Sequence, residues 1–315
     1  MSAADWDELI QLASGAAAPP PPPPPAAPPS ADGDRAAELA AFRSLADGHG
    51  AVHDVIGKLG LSDAREIDDG LAARAAAPLV RVRNFLPAKA AAGARAALEA
   101  LPPSAWEGAD AAADVASDDG GAKGGGAGSA MHSYRVGDGA GSADVAKLLR
   151  LVAGCFPAKA RRRLGGLRAR LQCARYARGD FIEPHDDAAF ATIGAGGGGG
   201  DGAGAGVLAS RDVALVYYLT RGWRADLGGC LVDLEGPGEL IVPEFNTLVA
   251  FRVPRLHEVT RMATDRPRLT VFGWMLRPGR LYDLAPPPRA SDATGGVRKK
   301  RKRKRARGGA DNNGR

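Results

Sequence analysis

The stretch FIEPHDDAAF, Phe181–Phe190, places one histidine directly before two aspartates. Side chains alternate between the two faces of an extended segment, so His185 and Asp187 are expected on one face and Asp186 on the other. An imidazole and a carboxylate on the same face can bind a single metal ion together. A non-haem Fe(II) site needs one more ligand, because it is built from two histidines and one carboxylate and keeps its remaining positions open.

The third ligand has few candidates, because the chain contains five histidines. His49 and His53 lie in a region with helical spacing, and His132 follows a glycine-rich insertion. His257 stands just after a β-prone run, at a position where a facing strand would present it to His185. A histidine followed by two surface aspartates in a turn is the ordinary alternative, and the spacing of these residues leaves both interpretations open.

The stretch RPRLTVFGW contains an arginine that strand alternation directs into the protein. Arg268, Thr270, Phe272 and Trp274 share one face of this run. An arginine among apolar neighbours needs an anionic partner, and its planar guanidinium matches a carboxylate through two parallel hydrogen bonds. The Thr270 hydroxyl and the phenol of Tyr218, in DVALVYYLT, are placed to bind the same carboxylate. Taken singly, Arg268 also fits a surface salt bridge and Tyr218 a place in the core.

The elements that must position these residues are short β-prone runs, broken by turns, within Leu171–Pro278. Such runs are typical of a β-sandwich or jelly roll. Upstream, the pattern predicts a strand within Pro78–Pro87, a helix over Ala88–Leu101 and an amphipathic helix over Ser142–Phe156 with its first residue as the N-cap. Helical spacing over Asp34–Leu59 predicts a further helix, which either packs on the domain or stands apart.

Composition separates this body from proline- and glycine-rich segments, since the 315 residues include 23 prolines and 43 glycines. Ala18–Pro29 contains only proline and alanine, which predicts a stiff polyproline spacer. Gly108–Ala130 is predicted to be a mobile insertion, and Gly194–Gly206 an inserted loop. Arg298–Arg307, RKKRKRKRAR, carries nine basic residues and no acid, so without it the formal net charge changes from +6 to −3. The basic character therefore belongs to the tail.

These patterns predict a division of the chain into four regions. A disordered, proline-rich segment covers residues 1–33, and a helical segment covers residues 34–75. The folded domain covers residues 76–283, with its motifs concentrated in residues 171–278. A disordered basic tail covers residues 284–315.

The cysteines and the basic tail indicate the cellular location that the sequence predicts. Cys155, Cys173 and Cys230 form no CxxC spacing and predict reduced thiols in an intracellular protein. The sequence has neither a secretory signal nor a run of about 18 apolar residues, so no membrane span is expected. The basic stretch Arg298–Arg307 predicts recognition by an importin, or contact with the phosphates of a nucleic acid. The expected location is the nucleus, or both nucleus and cytoplasm.

Together, these pieces resemble the iron(II)- and 2-oxoglutarate-dependent dioxygenases, and among them the prolyl-hydroxylase-like group with the catalytic domain of the prolyl 4-hydroxylase α-subunit type. The resemblance rests on YARGDFIEPHDD, VALVYYLTRGW, LGGCLVDLEG, NTLVAFRVPRLHEV and RLTVFGW, which occur in the order found in that family. They cover roughly Leu171–Pro278, about a third of the chain.

The resemblance implies a mainly β fold, a double-stranded β-helix (jelly roll) with helices packed on one sheet. It implies that His185, Asp187 and His257 bind Fe(II). The cofactors expected with such a site are Fe(II), 2-oxoglutarate as cosubstrate and O2, with ascorbate as a further expectation.

The same resemblance implies that Arg268 pairs with the far carboxylate of 2-oxoglutarate, with help from Tyr218 and Thr270, and that Tyr176 lines the pocket. The implied reaction hydroxylates a C–H bond, foremost that of a prolyl residue in a protein, and releases succinate and CO2. A small molecule or another residue is an alternative substrate. A nucleic-acid demethylase is disfavoured, because that family has an arginine at the position of Trp274. A nuclear nucleic-acid-binding protein acting through its basic tail is the alternative from another class.

Overall fold

The structure is a computed structural model, which describes residues 32–48, 55–61, 74, 76–108, 132–133, 135–137, 142–193, 206–236 and 238–284. Within these residues the fold is mainly antiparallel β structure with flanking helices. The helices are α1 (Asp32–Asp47), α2 (Ala88–Glu99), α3 (Ala143–Ala153) and α4 (Ala158–Arg163), with short 3-10 helices at Gly57–Leu59, Pro103–Ala105 and Ala225–Leu227.

The described strands form two antiparallel sheets. The strands are β1 (Val80–Val82), β2 (Glu107–Gly108), β3 (His132–Ser133), β4 (Arg135–Gly137), β5 (Arg168–Tyr176), β6 (Phe181–His185), β7 (Phe190–Ile193), β8 (Val207–Tyr218), β9 (Leu231–Asp233), β10 (Leu240–Ile241), β11 (Thr247–Arg252), β12 (His257–Val259) and β13 (Arg268–Pro278). The larger sheet has eight strands in the order β1-β11-β8-β13-β5-β4-β2, with β7 paired to β8, and the smaller sheet has five in the order β10-β9-β12-β6-β3.

The larger sheet separates two hydrophobic cores, as strand alternation requires. Leu269, Val271 and Met275 of β13 pack with the helices on one face. Phe272 and Trp274 of the same strand pack on the other face, against residues of the smaller sheet. This arrangement confirms the prediction of a jelly roll with flanking helices, and it places the space between the sheets on the side of the even-numbered β13 residues.

The N-terminal helix α1 packs against α2 and α3. Phe42 is fully buried in the core on the helical side. A Cβ atom on Gly93 of α2 would lie 2.1 Å from the main-chain oxygen of Glu38, so only glycine permits this close approach. At the helix surface, Arg43 pairs with Asp144 of α3, with Nη2 2.6 Å from Oδ2. The predicted helical segment therefore contributes to the same core as the sheet.

Two predicted helices have the expected starts, and the third ends earlier than expected. Ser142 caps α3, because its hydroxyl accepts a hydrogen bond from the Val145 N–H at 3.3 Å. The helix predicted over Asp34–Leu59 ends at Asp47, where Gly48 follows. Glycine costs about 1 kcal/mol in a helix interior and commonly follows the last helical turn. The helical spacing over Asp34–Leu59 therefore corresponds to α1 and to the short 3-10 helix Gly57–Leu59.

Several predicted segments lie outside the described residues, namely the polyproline stretch, most of both glycine-rich insertions and the basic tail. The division of the chain into four regions stays a prediction. Cys155, Cys173 and Cys230 are buried free thiols. Within the described part of the chain, no helix is both long and apolar enough to cross a membrane.

Candidate metal centre and active site

Three side chains of a metal-binding type converge between the two sheets. His185 ends β6 and His257 begins β12, and their Cα atoms are direct partners in the antiparallel pair. Asp187 lies two residues past the end of β6. One ligand atom from each residue lies within 4.8 Å of the others. The Asp187 carboxylate reaches both imidazoles, with Oδ1 3.5 Å from His185 Nε2 and Oδ2 3.6 Å from His257 Nε2.

The backbone brings Asp187 to this point by a turn. The β6 strand ends at His185, and Asp187 has a positive φ of 61°, in the left-handed region that few non-glycine residues adopt. The expectation of an extended His-Asp-Asp segment was therefore wrong, although the structure does bring His185 and Asp187 together. Asp186 is exposed, and its Oδ1 accepts a hydrogen bond from the Ala188 N–H at 2.9 Å.

Main-chain carbonyl groups fix the orientation of both imidazoles. Nδ1 of His185 lies 2.8 Å from the Glu183 oxygen, and Nδ1 of His257 lies 2.7 Å from the Arg255 oxygen. A carbonyl oxygen only accepts, so Nδ1 must carry the proton in each ring. The lone pair of each neutral imidazole is then on Nε2, the atom that faces Asp187. This is the tautomer that a metal ligand requires.

The electrostatics of the cluster favour a carboxylate with at least one neutral histidine. Burial raises the pKa of Asp187, but the contact with His185 and the positive charges that His257, His185 and Arg211 can carry outweigh it, so the net pKa is well below the usual range. Burial lowers the pKa of His257 below its ordinary value. For His185 burial also lowers the pKa, but the bond and charge of Asp187 leave it raised.

A buried arginine lies at the other end of the same space. Arg268, the first residue of β13, is only 2% exposed. Its Nη1 donates to the Gly229 carbonyl, and its guanidinium carbon lies 3.7 Å from the centre of the Tyr176 ring. Its Nε has no hydrogen-bond partner, and no described carboxylate pairs with it. Because an unpaired buried charge is costly, this guanidinium fits an anionic ligand.

The remaining predicted residues surround Arg268 through sheet register. Thr270 is the Cα partner of Tyr218 on β8, and Arg268 is the partner of Tyr176 on β5. All are at most 3% exposed. Burial raises the pKa of Tyr176 to about 12, against the opposing charge of Arg268, and burial likewise raises the pKa of Tyr218. Both phenols are therefore neutral at physiological pH and can donate a hydrogen bond to a carboxylate.

The residue that accepts from Arg268 must be glycine. Gly229 has a φ of 64°, and a Cβ atom there would lie 2.5 Å from the sulfur of Met262 and 3.4 Å from Nη1 of Arg268. A Cβ atom there would clash with the Met262 sulfur and would lie against the guanidinium, and the positive φ also favours glycine. The glycine pair in LGGC was a visible sign of a close approach, but its partner was not visible in the sequence.

Sequence reasoning missed Arg211 as part of the site. Its guanidinium carbon lies 3.5 Å from the centre of the Trp274 ring, and its Nη1 lies 3.3 Å from the Asp187 main-chain oxygen and 3.8 Å from Oδ1. Simple alternation from Tyr218 would direct Arg211 toward the helices. A register shift between Met275 and Leu276 breaks the alternation of the β8–β13 pair there. Such a bulge can turn a side chain to the other face.

The residues present fit an Fe(II) ion and 2-oxoglutarate. Two histidines and one carboxylate form the ligand set of non-haem iron oxygenases and leave coordination positions free. The buried guanidinium of Arg268, with two neutral phenols beside it, fits a dicarboxylate.

The family model described as the 2OG-Fe(II) oxygenase superfamily matches residues 171–276. Solved structures are similar at low identity. A prolyl-4-hydroxylase from Pseudomonas putida is 22% identical with a TM-score of 0.42, over 68% of this chain and 98% of that one. A prolyl hydroxylase from Trichoplax adhaerens, in complex with a hypoxia inducible factor peptide, is 15% identical with a TM-score of 0.42, over 78% and 94%. The viral collagen prolyl hydroxylase of Paramecium Bursaria Chlorella virus-1 is 16% identical with a TM-score of 0.39, over 66% and 99%.

Proposed function

Because residues 171–276 form a domain of the 2OG-Fe(II) oxygenase superfamily, and the chain is thus a 2-oxoglutarate-dependent dioxygenase, we propose that it hydroxylates a prolyl residue of a protein. The observation that carries the choice of substrate is the stack of Arg211 on Trp274 beside Asp187. The sequence resemblance to prolyl hydroxylases in the histidine strand and in RLTVFGW supports the same choice.

In this proposal His185, Asp187 and His257 hold the iron ion. The carboxylate and two neutral imidazoles offset one of its two positive charges and leave room for the cosubstrate. When bound, Fe(II) with 2-oxoglutarate supplies the oxidising chemistry: O2 is divided between succinate and the substrate hydroxyl, and CO2 is released. The side chains of the triad act by position, since neither imidazole has a proton on the nitrogen that faces the metal.

Arg268 binds the far carboxylate of 2-oxoglutarate. Tyr218 and Thr270 donate hydrogen bonds to the same group, and the ring face of Tyr176 stacks against the guanidinium. Arg268 is 2% exposed, so this pair of charges would form in a buried environment, where electrostatic attraction is stronger than at a surface. This orients the keto acid end toward the triad.

The stack formed by Arg211 and Trp274 offers a surface for a peptide next to the triad. The indole presents a flat apolar surface against which a pyrrolidine ring can pack. The Trp274 Nε1–H is buried and has no hydrogen-bond partner among the described residues. A peptide carbonyl at this place would satisfy that donor, which a purely apolar small molecule would not.

The first test is turnover of the cosubstrate. Purified full-length protein with Fe(II), O2 and 2-oxoglutarate should form succinate, because decarboxylation proceeds slowly even without the main substrate in this proposal. His257→Ala should form none. Succinate formation that persists in His257→Ala would contradict the assignment of the triad.

The second test identifies the substrate. Mass spectrometry of cellular proteins, with and without the active enzyme, should reveal single-oxygen additions on proline. Additions on other residues, or on metabolites alone, would replace the prolyl proposal with the alternative of another residue or a small molecule.

A single substitution separates substrate binding from cosubstrate binding. Trp274→Phe keeps a ring but removes the N–H, so it should raise the KM for a proline peptide about fivefold, the effect of roughly 1 kcal/mol. The KM for 2-oxoglutarate should not change. Trp106→Phe, in the core on the helical side, is the matched control and should change neither constant. Equal effects of the two variants on the peptide would exclude Trp274 from the substrate surface.

A further inference from the structure

The turn between β11 and β12 connects the two parts of the sequence that carry the triad. Arg255 lies in this turn, two residues before His257. Its N–H donates to the Asp186 main-chain oxygen at 3.1 Å, within the segment that holds His185 and Asp187. Its carbonyl accepts from Nδ1 of His257 at 2.7 Å. The peptide group before the Arg255 Cα atom thus contacts the segment of His185 and Asp187, and the peptide group after it contacts His257.

The side chain of Arg255 holds that backbone in place. Nε and Nη2 donate to the two carboxylate oxygens of Asp233 at 2.9 and 2.7 Å, and Nη1 donates to the Ala77 carbonyl at 2.6 Å. Both partners of the ion pair are about 6% exposed. Asp233 ends β9 and is the direct Cα partner of His257 across the β9–β12 pair. The guanidinium is therefore anchored to the strand that flanks His257.

The segment before β1 secures the same turn from a second side. Ala77 receives the hydrogen bond from Arg255, and Nη1 of the buried Arg74 donates to the Val253 carbonyl at 2.9 Å. The turn is thus tied to the jelly roll by Asp233 and to the N-terminal part of the chain by two further bonds. Free rotation of the Arg255 peptide units would break several of these contacts at once.

The two histidines differ in what orients them. The carbonyl that orients His185 belongs to Glu183 on its own strand, where the β6 backbone already determines its direction. The carbonyl that orients His257 belongs to a turn outside any strand, where backbone direction is less constrained. His257 therefore needs an additional constraint that His185 does not.

We propose that Arg255 is a positioning residue for the iron triad. Through Asp233 it fixes its own backbone, its carbonyl then sets the tautomer and direction of His257, and its N–H holds the loop that carries Asp187. The proposal rests on the proposed function in one respect, namely that the triad binds a divalent metal. Outer-sphere partners of this kind typically change metal affinity about 10- to 100-fold.

The test measures binding of Mn(II), a redox-inactive substitute for Fe(II), to the full-length protein by isothermal titration calorimetry. Arg255→Lys keeps the charge but loses the two-pronged geometry. Its dissociation constant for Mn(II) should rise roughly 10- to 100-fold. Asp233→Asn, which keeps the shape of the partner, should change the affinity in the same direction. The tautomer of His257, read from nitrogen-15 NMR shifts, should become mixed in both variants.

Arg178→Lys is the matched control. Arg178 makes the same set of contacts, two bonds to the Asp265 carboxylate at 2.8 and 3.0 Å and one to the Ala263 carbonyl at 2.7 Å, but on an exposed surface away from the triad. It should leave Mn(II) affinity within about twofold of the parent protein. If Arg178→Lys and Arg255→Lys weaken Mn(II) equally, the effect is one of general stability and the positioning role is rejected.

The outcomes separate this inference from the proposed function. Unchanged Mn(II) affinity in a folded Arg255→Lys, with succinate still formed by the parent protein, overturns the positioning role alone. If Arg255→Lys does not fold, the milder Asp233→Asn decides by the same two measurements. A parent protein that binds Mn(II) and responds as described, yet forms no succinate, upholds the positioning role and contradicts the oxygenase function. A parent protein that binds no Mn(II) overturns both.

Discussion

The three candidate iron ligands lie on two short strands of the smaller sheet and in a turn, whereas the residues around Arg268 lie on three long, adjacent strands of the larger sheet. At the cosubstrate end, strand register alone brings the four side chains together. At the iron end, the direction of each ligand depends on a hydrogen bond to a main-chain carbonyl or on a left-handed residue. Substitutions at the cosubstrate end should therefore act by removing a contact with the ligand. Substitutions around the iron end should act by changing the direction of a metal-binding side chain.

The largest expected effect is at the iron end. Asp187→Ala removes one of the three ligands and should reduce succinate formation by more than the roughly 100-fold that loss of an outer-sphere partner costs. Asp186→Ala removes only the bond to the Ala188 N–H and should cost about fivefold or less. Succinate release, measured for both variants under the same conditions, compares them. Similar losses in the two would show that the adjacent aspartates are not distinguished as the turn at Asp187 requires.

A large effect is also expected at the cosubstrate end. Arg268→Ala should leave the far carboxylate of 2-oxoglutarate without its proposed partner, at a cost of about 2 kcal/mol or more, so the half-saturating 2-oxoglutarate concentration should rise at least about 30-fold. Arg224→Ala removes an exposed arginine paired with Asp226 and should leave that concentration unchanged. Circular dichroism would verify that both variants are folded. An unchanged 2-oxoglutarate requirement in Arg268→Ala would remove this residue from the site.

A smaller effect is expected from the hydroxyl groups beside Arg268. Tyr218→Phe and Thr270→Val each remove one donor, about 0.5–1.5 kcal/mol, so each should raise the half-saturating 2-oxoglutarate concentration roughly two- to tenfold. The neighbouring Tyr217 is an internal control, because its hydroxyl donates to Asn246 Oδ1 at 2.9 Å on the helical side of the sheet. Tyr217→Phe should lower the free energy of unfolding by about 1 kcal/mol without changing cosubstrate binding.

The smallest effect on the site is expected from the basic tail. A chain lacking Arg298–Arg307 should form succinate at the parental rate on a short peptide, because the stretch lies 20 residues beyond the end of β13 at Pro278. We propose that this stretch directs nuclear import, so its removal should lower the nuclear fraction of the tagged protein, as measured by fluorescence microscopy. Loss of turnover on the peptide would show that the tail acts on the active site.

The positions of the residues around Arg268 were largely predictable from strand alternation. For the triad, the sequence predicted the residue types but not the backbone conformation that brings them together. Alternation correctly placed Arg268 and Thr270 on the face of β13 that contains Phe272 and Trp274, because β13 is regular over that stretch. It gave the wrong backbone for Asp187, since a left-handed residue leaves no mark in the identities of its neighbours. His257 was linked to His185 by its place after a β-prone run, and the resemblance to the family then implied the same pair of ligands.

A local sequence pattern could not identify the residues whose role depends on tertiary contacts. Arg211 enters the site because a register shift breaks the alternation of its strand. Arg255 appears ordinary in the sequence, and only the distances to Asp233, Asp186 and His257 reveal that it connects the two halves of the triad. Neither effect is encoded in a periodicity of two or of 3.6 residues.

The packing of α1 bears on where a shorter version of this protein can begin. The family match starts at residue 171, but the side of the larger sheet that contains Leu269 and Met275 is covered by helices that precede it, and Phe42 of α1 belongs to that core. A chain begun at the family match would expose this apolar surface to solvent and should aggregate during purification. Boundaries for expression are better placed before Asp32, so that the catalytic strands keep their covering layer.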